Sequence, residues 1–326
     1  HLSIRRQRQM CIRDRFNDNP LGGEPIARVA IPQGAKPTNA GPAETPKRNA
    51  VAAKTESSGK TVTIIDGSSG SRQEVAIGSG EADDGEPGAA PMAGIDQRLL
   101  EKSRYGMIPV AADGLKSFTA YAASADQAKA ATMPVVAIVI GGLGVGAAKT
   151  TDAIMKLPPA VTLAFTPYGT DPGKLAERAR AQHHEILLQL PMEPYDYPDN
   201  DPGPQTLLAT LSPDQNLDRL YWHLSRLQGY VGIANFMGAR FVATETAMQP
   251  IVSEAAKRGL AFFDDGAAPR SVAGSLATGQ AMPFAKGDVA IDAVPTAVEI
   301  DGALKKLESL AKERGYAIGT ASAMPV

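Results

Sequence analysis

Two adjacent carboxylates, Asp264 and Asp265, close an apolar run at 260–263 and are followed by Gly266. At a strand end such a pair can bind a cation or accept hydrogen bonds from sugar hydroxyls, and Asp264 is the better placed for acid–base catalysis. Glu193 sits between Pro191 and Pro194 in a constrained loop. There it is either a general base or the ion partner of Arg240, because a buried charge needs a partner. Asn235 either satisfies loop backbone or touches a ligand. Tyr168, Tyr195, Tyr197 and Phe236 offer flat apolar surfaces to sugar faces, or a lid over the core. Arg270 completes the charged set. The histidines do not converge on a metal. His183 and His184 are neighbours that point to opposite faces, and His223 lies mid-helix beside Trp222, so packing roles are expected for all three.

Those residues need a scaffold that brings them to one rim. Residues 135–140 (VVAIVI) form a β-branched run bounded by Pro134 and Gly141, the pattern of a strand buried on both faces. Further strands are expected at 161–165, 185–190, 230–234, 260–263, 288–291 and from Tyr316. Helices alternate with them at 150–156, from the Asp171 cap to Ala181, at 213–227, 246–258, 271–277 and 298–314. Ser212 caps the third of these, with Pro213 at its first position. Strands alternating with helices at this spacing predict a parallel α/β sheet of about seven strands, as a barrel or a doubly wound sheet. In either case functional groups gather at the C-terminal strand ends. Here those ends carry Gly141-Gly142-Leu143-Gly144, Tyr168, Gln189 to Pro194, Asn235 to Arg240, Asp264-Asp265-Gly266, Asp292 and Gly319-Thr320-Ala321.

The 326 residues are 43% hydrophobic and 21% charged, as in an ordinary globular protein. A net charge of -2 predicts no nucleic-acid partner. The single cysteine, Cys11, excludes an internal disulfide and a cysteine-built zinc site. No apolar run of about 18 residues offers a membrane span. Residues 1–15 are basic, aperiodic and begin at His1, which reads as a non-native leader; a true signal or anchor is expected upstream. Residues 16–94, rich in Gly, Pro, Ala and Ser, read as a disordered low-complexity linker. A hairpin near 61–77 interrupts it, with two β-rich runs flanking Asp66-Gly67-Ser68-Ser69-Gly70. Residues 95–132, a short helix at 95–104 and then extended chain, read as an arm packed on the core. Residues 133–326 are the main domain.

The series AIVIGGLG, LPPAVTLAFTPYG, HHEILLQLPMEPYDYPDNDPGP, GYVGIANFMGARF and RGLAFFDDGAAPRS covers nearly all of that domain. In order and spacing it resembles the divergent polysaccharide deacetylase family, within the carbohydrate deacetylase superfamily. The resemblance implies a distorted (β/α) barrel with a further helix and strand beyond Val326. It also implies a bacterial envelope protein, periplasmic or anchored facing the periplasm, whose only membrane contact is the N-terminal anchor. The implied partners are a polysaccharide or peptidoglycan-type glycan and an envelope protein.

Metal-dependent members of the superfamily follow the first strand with an Asp pair, one a base and one a metal ligand, and add histidines from a neighbouring rim loop. Where the family typically has Asp-Asp-Leu-Gly, this chain has Gly141-Gly142-Leu143-Gly144. Gln189 stands in place of the histidine before Leu-Pro-Met-Glu-Pro, Phe236 in place of one before Met-Gly, and Thr320 in place of a late one. Glycine has no donor atom, phenylalanine cannot coordinate, and glutamine is a poor ligand for zinc. The Phe262-Phe263-Asp264-Asp265-Gly266 run resembles the first-strand motif of ordinary polysaccharide deacetylases but closes the fifth strand. The expectation is therefore a protein that acts on or binds polysaccharide, with no cofactor and with the usual metal-site residues replaced. Its ligand contacts are expected from Gly141, Gly142, Gln189, Asn235, Arg240, Asp265, Arg270 and Tyr168. The alternative is an active hydrolase that uses Asp264, Glu193 and a divalent metal such as zinc to remove acetyl groups.

Overall fold

The computed structural model describes residues 61–65, 72–76, 94–125 and 127–323. The leader expected at 1–15, most of the linker expected at 16–94, the 66–70 turn and residues 324–326 lie outside the described residues. In a first unit, His1–Ala82, strands β1 (Thr61–Ile65) and β2 (Arg72–Ala76) pair antiparallel, with Thr61 opposite Ala76. The second strand begins two residues earlier than its β-rich run, and Arg72 pairs in register with Ile65.

The second unit, Asp83–Val326, carries the rest of the described chain. Residues 95–104 do not form the expected helix. A 3-10 turn, Gln97–Leu99, capped by Asp96, leads into β3 (Leu100–Ser103), which pairs antiparallel with β4 (Gly106–Pro109). Burial decides this: Ile95 and Leu99 are drawn into an apolar cluster with Tyr121, Val139, Leu187 and Phe263, and helical spacing is only a weak prior against such packing. Two short helical turns, α1 (Ser117–Ala120) and α2 (Gln127–Ala130), bring the chain to the main sheet. Arg258 fastens the β3–β4 hairpin. Its guanidinium lies 2.6 Å from Glu101 and 2.8 Å from Glu254, and it donates to the Pro109 carbonyl at 2.7 Å.

The main sheet and its helices then alternate. The elements are β5 (Val135–Leu143), α3 (Ala147–Lys156), β6 (Thr162–Phe165), α4 (Pro172–Ala181), β7 (Ile186–Met192), α5 (Pro213–Leu224), β8 (Gly232–Met237), α6 (Glu245–Lys257), β9 (Ala261–Asp264) and α7 (Ala273–Gly279). After them come β10 (Phe284–Lys286), β11 (Val289–Ala290), α8 (Ala297–Arg314) and β12 (Tyr316–Ser322). Local signals place the helix starts. Asp171 accepts from the Lys174 amide at α4, and at α5 Ser212 and Gln215 form a reciprocal capping box behind Pro213. Gly315, in the left-handed region, stops α8.

All neighbours in the eight-stranded sheet are parallel, in the order β10-β9-β8-β7-β6-β5-β12-β11. The two margins belong to one short stretch of chain, because only Gly287 and Asp288 separate β10 from β11. The stretch pairs with β9 through Phe284–Lys286, then crosses at Gly287 and pairs with β12 through Val289 and Ala290. The Gly287 amide still donates to the Asp264 carbonyl, whereas the Asp288 amide donates to Ile318. A Cβ at 287 would lie 2.7 Å from the Asp265 carbonyl oxygen, so the crossing needs glycine. One divided strand thus curls the sheet into a distorted barrel of seven staves. The sequence reading found its second half as the sixth strand and missed the first.

Side chains alternate between the two faces. Ile186, Leu188, Leu190 and Met192 of β7 face the helices in the large core with Leu220, Leu224, Met248 and Ile251. Leu187 faces inward with Val139, Ala164, Val231 and Phe263. Each such fully buried aliphatic contributes about 1.5–3 kcal/mol. Ile95, Leu99 and Tyr121 enter the same inner cluster, so the chain before β5 helps to fill the barrel interior.

Candidate functional site

The C-terminal strand ends surround a cavity of about 350 Å³. Gly141 and Gly142 reach it from β5, Gln189 from β7, and Asn235, Phe236 and Met237 from β8. Asp265 follows β9, Asp288 and Asp292 flank β11, and Thr320 and Ser322 come from β12. The crossing at Gly287 forms part of the wall.

One close contact on this rim joins β5 to β7. The Gly142 amide donates to Gln189 Oε1 at 2.7 Å, in a buried hydrogen bond. A Cβ at Gly141 would stand 2.8 Å from Gln189 Nε2, so the glutamine amide fills the volume that a side chain at 141 would take. Gly142 itself has φ 72, and the β5–β6 register slips between Ile140 and Leu143. The two glycines and the glutamine therefore form one packed unit.

Asn235 is buried and already engaged. Its Nδ2 donates to the Met237 carbonyl at 2.9 Å, and its Oδ1 accepts from the Asp265 amide at 2.9 Å. It braces the turn in which Met237 takes φ 56, a left-handed conformation rare outside glycine and frequent where a rim is shaped for function. Asp265 accepts from the Ala267 amide at 2.9 Å. Burial raises its pKa, with Asn235 and the Ala267 amide opposing and Asp264 adding to the rise. Asp292 accepts from the Ser322 amide at 2.7 Å, and Asp288 from the Ile318 amide at 2.8 Å. Asp288 also pairs with Arg314 at 2.8 Å.

Other expected site residues lie elsewhere. Asp264 is on the opposite face of β9 from Asp265, since Phe262 packs against the helices and Phe263 inward. It is 1% exposed; Oδ1 accepts from the Gly266 amide at 2.8 Å, and Oδ2 has no hydrogen-bond partner. Glu193 is buried beneath the following loop. Its Oε2 accepts from the Ala209 amide at 2.6 Å and its Oε1 lies 3.2 Å from Arg240, the ion pair weighed above. Tyr168 donates to the Pro204 carbonyl at 2.6 Å and its ring lies against Gly203, which ties the 191–204 loop to β6. Arg270 is exposed, and neither it nor Tyr168, Arg240, Glu193 or Asp264 lines the cavity. The structure thus gathers Gly141, Gly142, Gln189, Asn235 and Asp265 and leaves the two candidate catalytic acids outside. Sequence reasoning placed Asp292 and Thr320 on this rim without assigning them a role, and gave no signal for Asp288 or Ser322.

The residues present do not fit a divalent metal of the usual kind. At the β5 end there are no donor side chains, Gln189 Oε1 is held by Gly142, and Phe236 offers carbon. Among the described residues no group of three His, Cys, Asp or Glu converges on a point. His183 is exposed. His184 is buried with its ring nitrogens 2.9 and 3.1 Å from the Val161 and Ile154 carbonyl oxygens. His223 is fully buried with Nε2 2.7 Å from the Gln205 carbonyl oxygen. All three stand away from the cavity. The arrangement can bind through hydrogen bonds and charge.

Comparison with known proteins agrees with the fold. Residues 138–326 match the divergent polysaccharide deacetylase family. The uncharacterized protein YibQ of Escherichia coli (strain K12) is 23% identical over 167 residues, which cover 51% of this chain and 52% of that protein. An uncharacterized protein of Haemophilus influenzae is 24% identical over 190 residues, covering 58% of this chain and 67% of that one. The match thus spans about half the length of the Escherichia coli relative. The crystal structure of an uncharacterized protein from Agrobacterium tumefaciens C58 matches with a TM-score of 0.63 at 40% identity, covering 67% of this chain and 87% of that one.

Proposed function

The chain belongs to the divergent polysaccharide deacetylase family, and from that premise we propose that it binds polysaccharide in the bacterial envelope without deacetylating it. The observation that carries this reading is the Gly141-Gly142-Gln189 unit. A catalytic carboxylate at 141 would collide with the glutamine amide, and the glutamine oxygen that faces this end of β5 already accepts from Gly142. Hydrolysis of an acetamide needs a positioned base and an electrophile for the developing oxyanion. Asp264 and Glu193 are turned away from the cavity, so neither supplies the base there. The cavity, near the lower end of about 300–1,000 Å³ for small-molecule sites, suits a sugar unit or two of a longer chain. A peptidoglycan-type glycan reached from the periplasm is the ligand and place that the family resemblance favours, with an envelope protein as a further partner.

The test is the metal content of the purified chain, together with acetate release from acetylated chitooligosaccharide or peptidoglycan and glycan binding by titration. We expect no stoichiometric metal, no acetate release and measurable glycan binding. Stoichiometric metal with acetate release that disappears in Asp264→Ala would replace this reading with a hydrolase.

A further inference from the structure

We propose that the cavity selects sugars that carry a free amino group over their acetylated or acidic counterparts, an inference that rests on the polysaccharide-binding reading above. Two independent features support it, one for a sugar in the cavity and one for the charge that the sugar carries. The first is a donor. Gln189 is 8% exposed, and the Gly142 hydrogen bond to its Oε1 fixes the amide plane, which leaves Nε2 beside Gly141 at the cavity. Among the described residues no acceptor meets that Nε2. This N–H opens onto the cavity, where it can donate to an acceptor brought by the ligand, such as a hydroxyl, ring or acetamido carbonyl oxygen.

The second feature is the sign of the charge. Asp265, Asp288 and Asp292 line the cavity, and among the described residues no lysine or arginine does. Arg314 neutralises Asp288 from outside. Lys286 acts on Asp265 from β10 but is itself exposed and off the lining. Asp265 and Asp292 each accept one backbone amide, which fixes their orientation and fills one of about four acceptor sites on each carboxylate. Two oriented carboxylates in a concave site raise the local concentration of a cation and repel an anion. An ammonium on the sugar is attracted by this field, a neutral acetamido group gains at most a hydrogen bond from it, and a uronate is repelled.

The experiment titrates the full chain, by calorimetry, with three probes: a glucosamine tetramer, an N-acetylglucosamine tetramer and a tetragalacturonate. The glucosamine tetramer is expected to bind roughly tenfold more tightly than the acetylated one, and the advantage to shrink with added salt. In Asp265→Asn/Asp292→Asn, which keeps the acceptors for Ala267 and Ser322, the ratio of the two affinities is expected to fall to about one and its salt dependence to vanish, whatever happens to the absolute affinities. The unfolding midpoint separates loss of charge from loss of fold, and the single variants stand in if the pair does not fold. Equal affinity for the two neutral-backbone probes, tighter binding of the uronate, or an amine preference that survives both substitutions would overturn the selectivity and leave glycan binding standing. Failure of all three probes to bind would overturn both.

Discussion

Gly141→Ala should be harmful in the native chain and harmless once Gln189 is removed. The backbone at 141 is one that alanine adopts, so the cost comes from space: the new Cβ would stand 2.8 Å from Gln189 Nε2 and 3.4 Å from Cδ. The amide can swing away only by giving up its 2.7 Å hydrogen bond from the buried Gly142 N–H. An orphaned buried amide costs about 1–3 kcal/mol, and the lower unfolded-state entropy of alanine returns about 0.4–1 kcal/mol. The net expectation is about 1–2 kcal/mol of destabilisation. Gln189→Ala loses the same hydrogen bond and the packing of its stem, for about 2–3 kcal/mol. In Gly141→Ala/Gln189→Ala the hydrogen bond is already gone and the methyl enters the vacated volume. The double variant should therefore be as stable as Gln189→Ala or slightly better, a coupling of at least about 1 kcal/mol. Urea unfolding of the four proteins, with unchanged slopes, measures this. Additivity within about 0.5 kcal/mol would refute the idea that glycine and glutamine form one unit.

Two further outcomes follow from the buried charges. Burial lowers the pKa of His223 from 6.5 to about 4, with the Gln205 carbonyl opposing. The unfolded chain therefore binds the extra proton between those values, and the contribution of His223 to stability is constant above pH 6.5 and falls by about 3 kcal/mol as pH drops to 4. His223→Gln should remove that slope in unfolding midpoints taken across the window; an unchanged slope assigns it to other groups. Arg258→Met leaves Glu254 with 13% side-chain exposure and no ionic partner, and should cost about 3–5 kcal/mol in thermal unfolding. Arg258→Lys should rescue little, because one ammonium cannot reach Glu101, Glu254 and the Pro109 carbonyl together; full rescue would show that charge alone matters.

What the sequence made legible is local. Ser212, Pro213 and Gln215 announce the start of α5 because the capping box is contained in four residues. The β-branched run at the start of β5 and the alternation of strands and helices carry the parallel fold for the same reason. What stayed hidden depends on distant partners. Residues 95–104 have apolar spacing that suits a helix, but Ile95 and Leu99 are claimed by an interior built from β5 to β9. Phe284–Lys286 is too short to announce itself and becomes a strand only because β9 lies beside it. At the site, Gly141-Gly142 and Gln189 each looked like a loss. The contact that makes them one arrangement spans 47 residues. Asp264 and Asp265 are adjacent in sequence, but strand alternation places them on opposite faces, and only Asp265 reaches the cavity.

The divided strand also bears on how copies of the chain meet one another. A parallel sheet with open margins offers rows of unpaired backbone groups on which another chain can add a strand. Here the outermost strands are three and two residues long, and both belong to the stretch that ends one margin and begins the other. A free flank that short gives an incoming strand of ordinary length, about five or six residues, too few bonds to register against. By breaking its pairing at Gly287, the barrel removes the template for edge-to-edge aggregation along its main sheet.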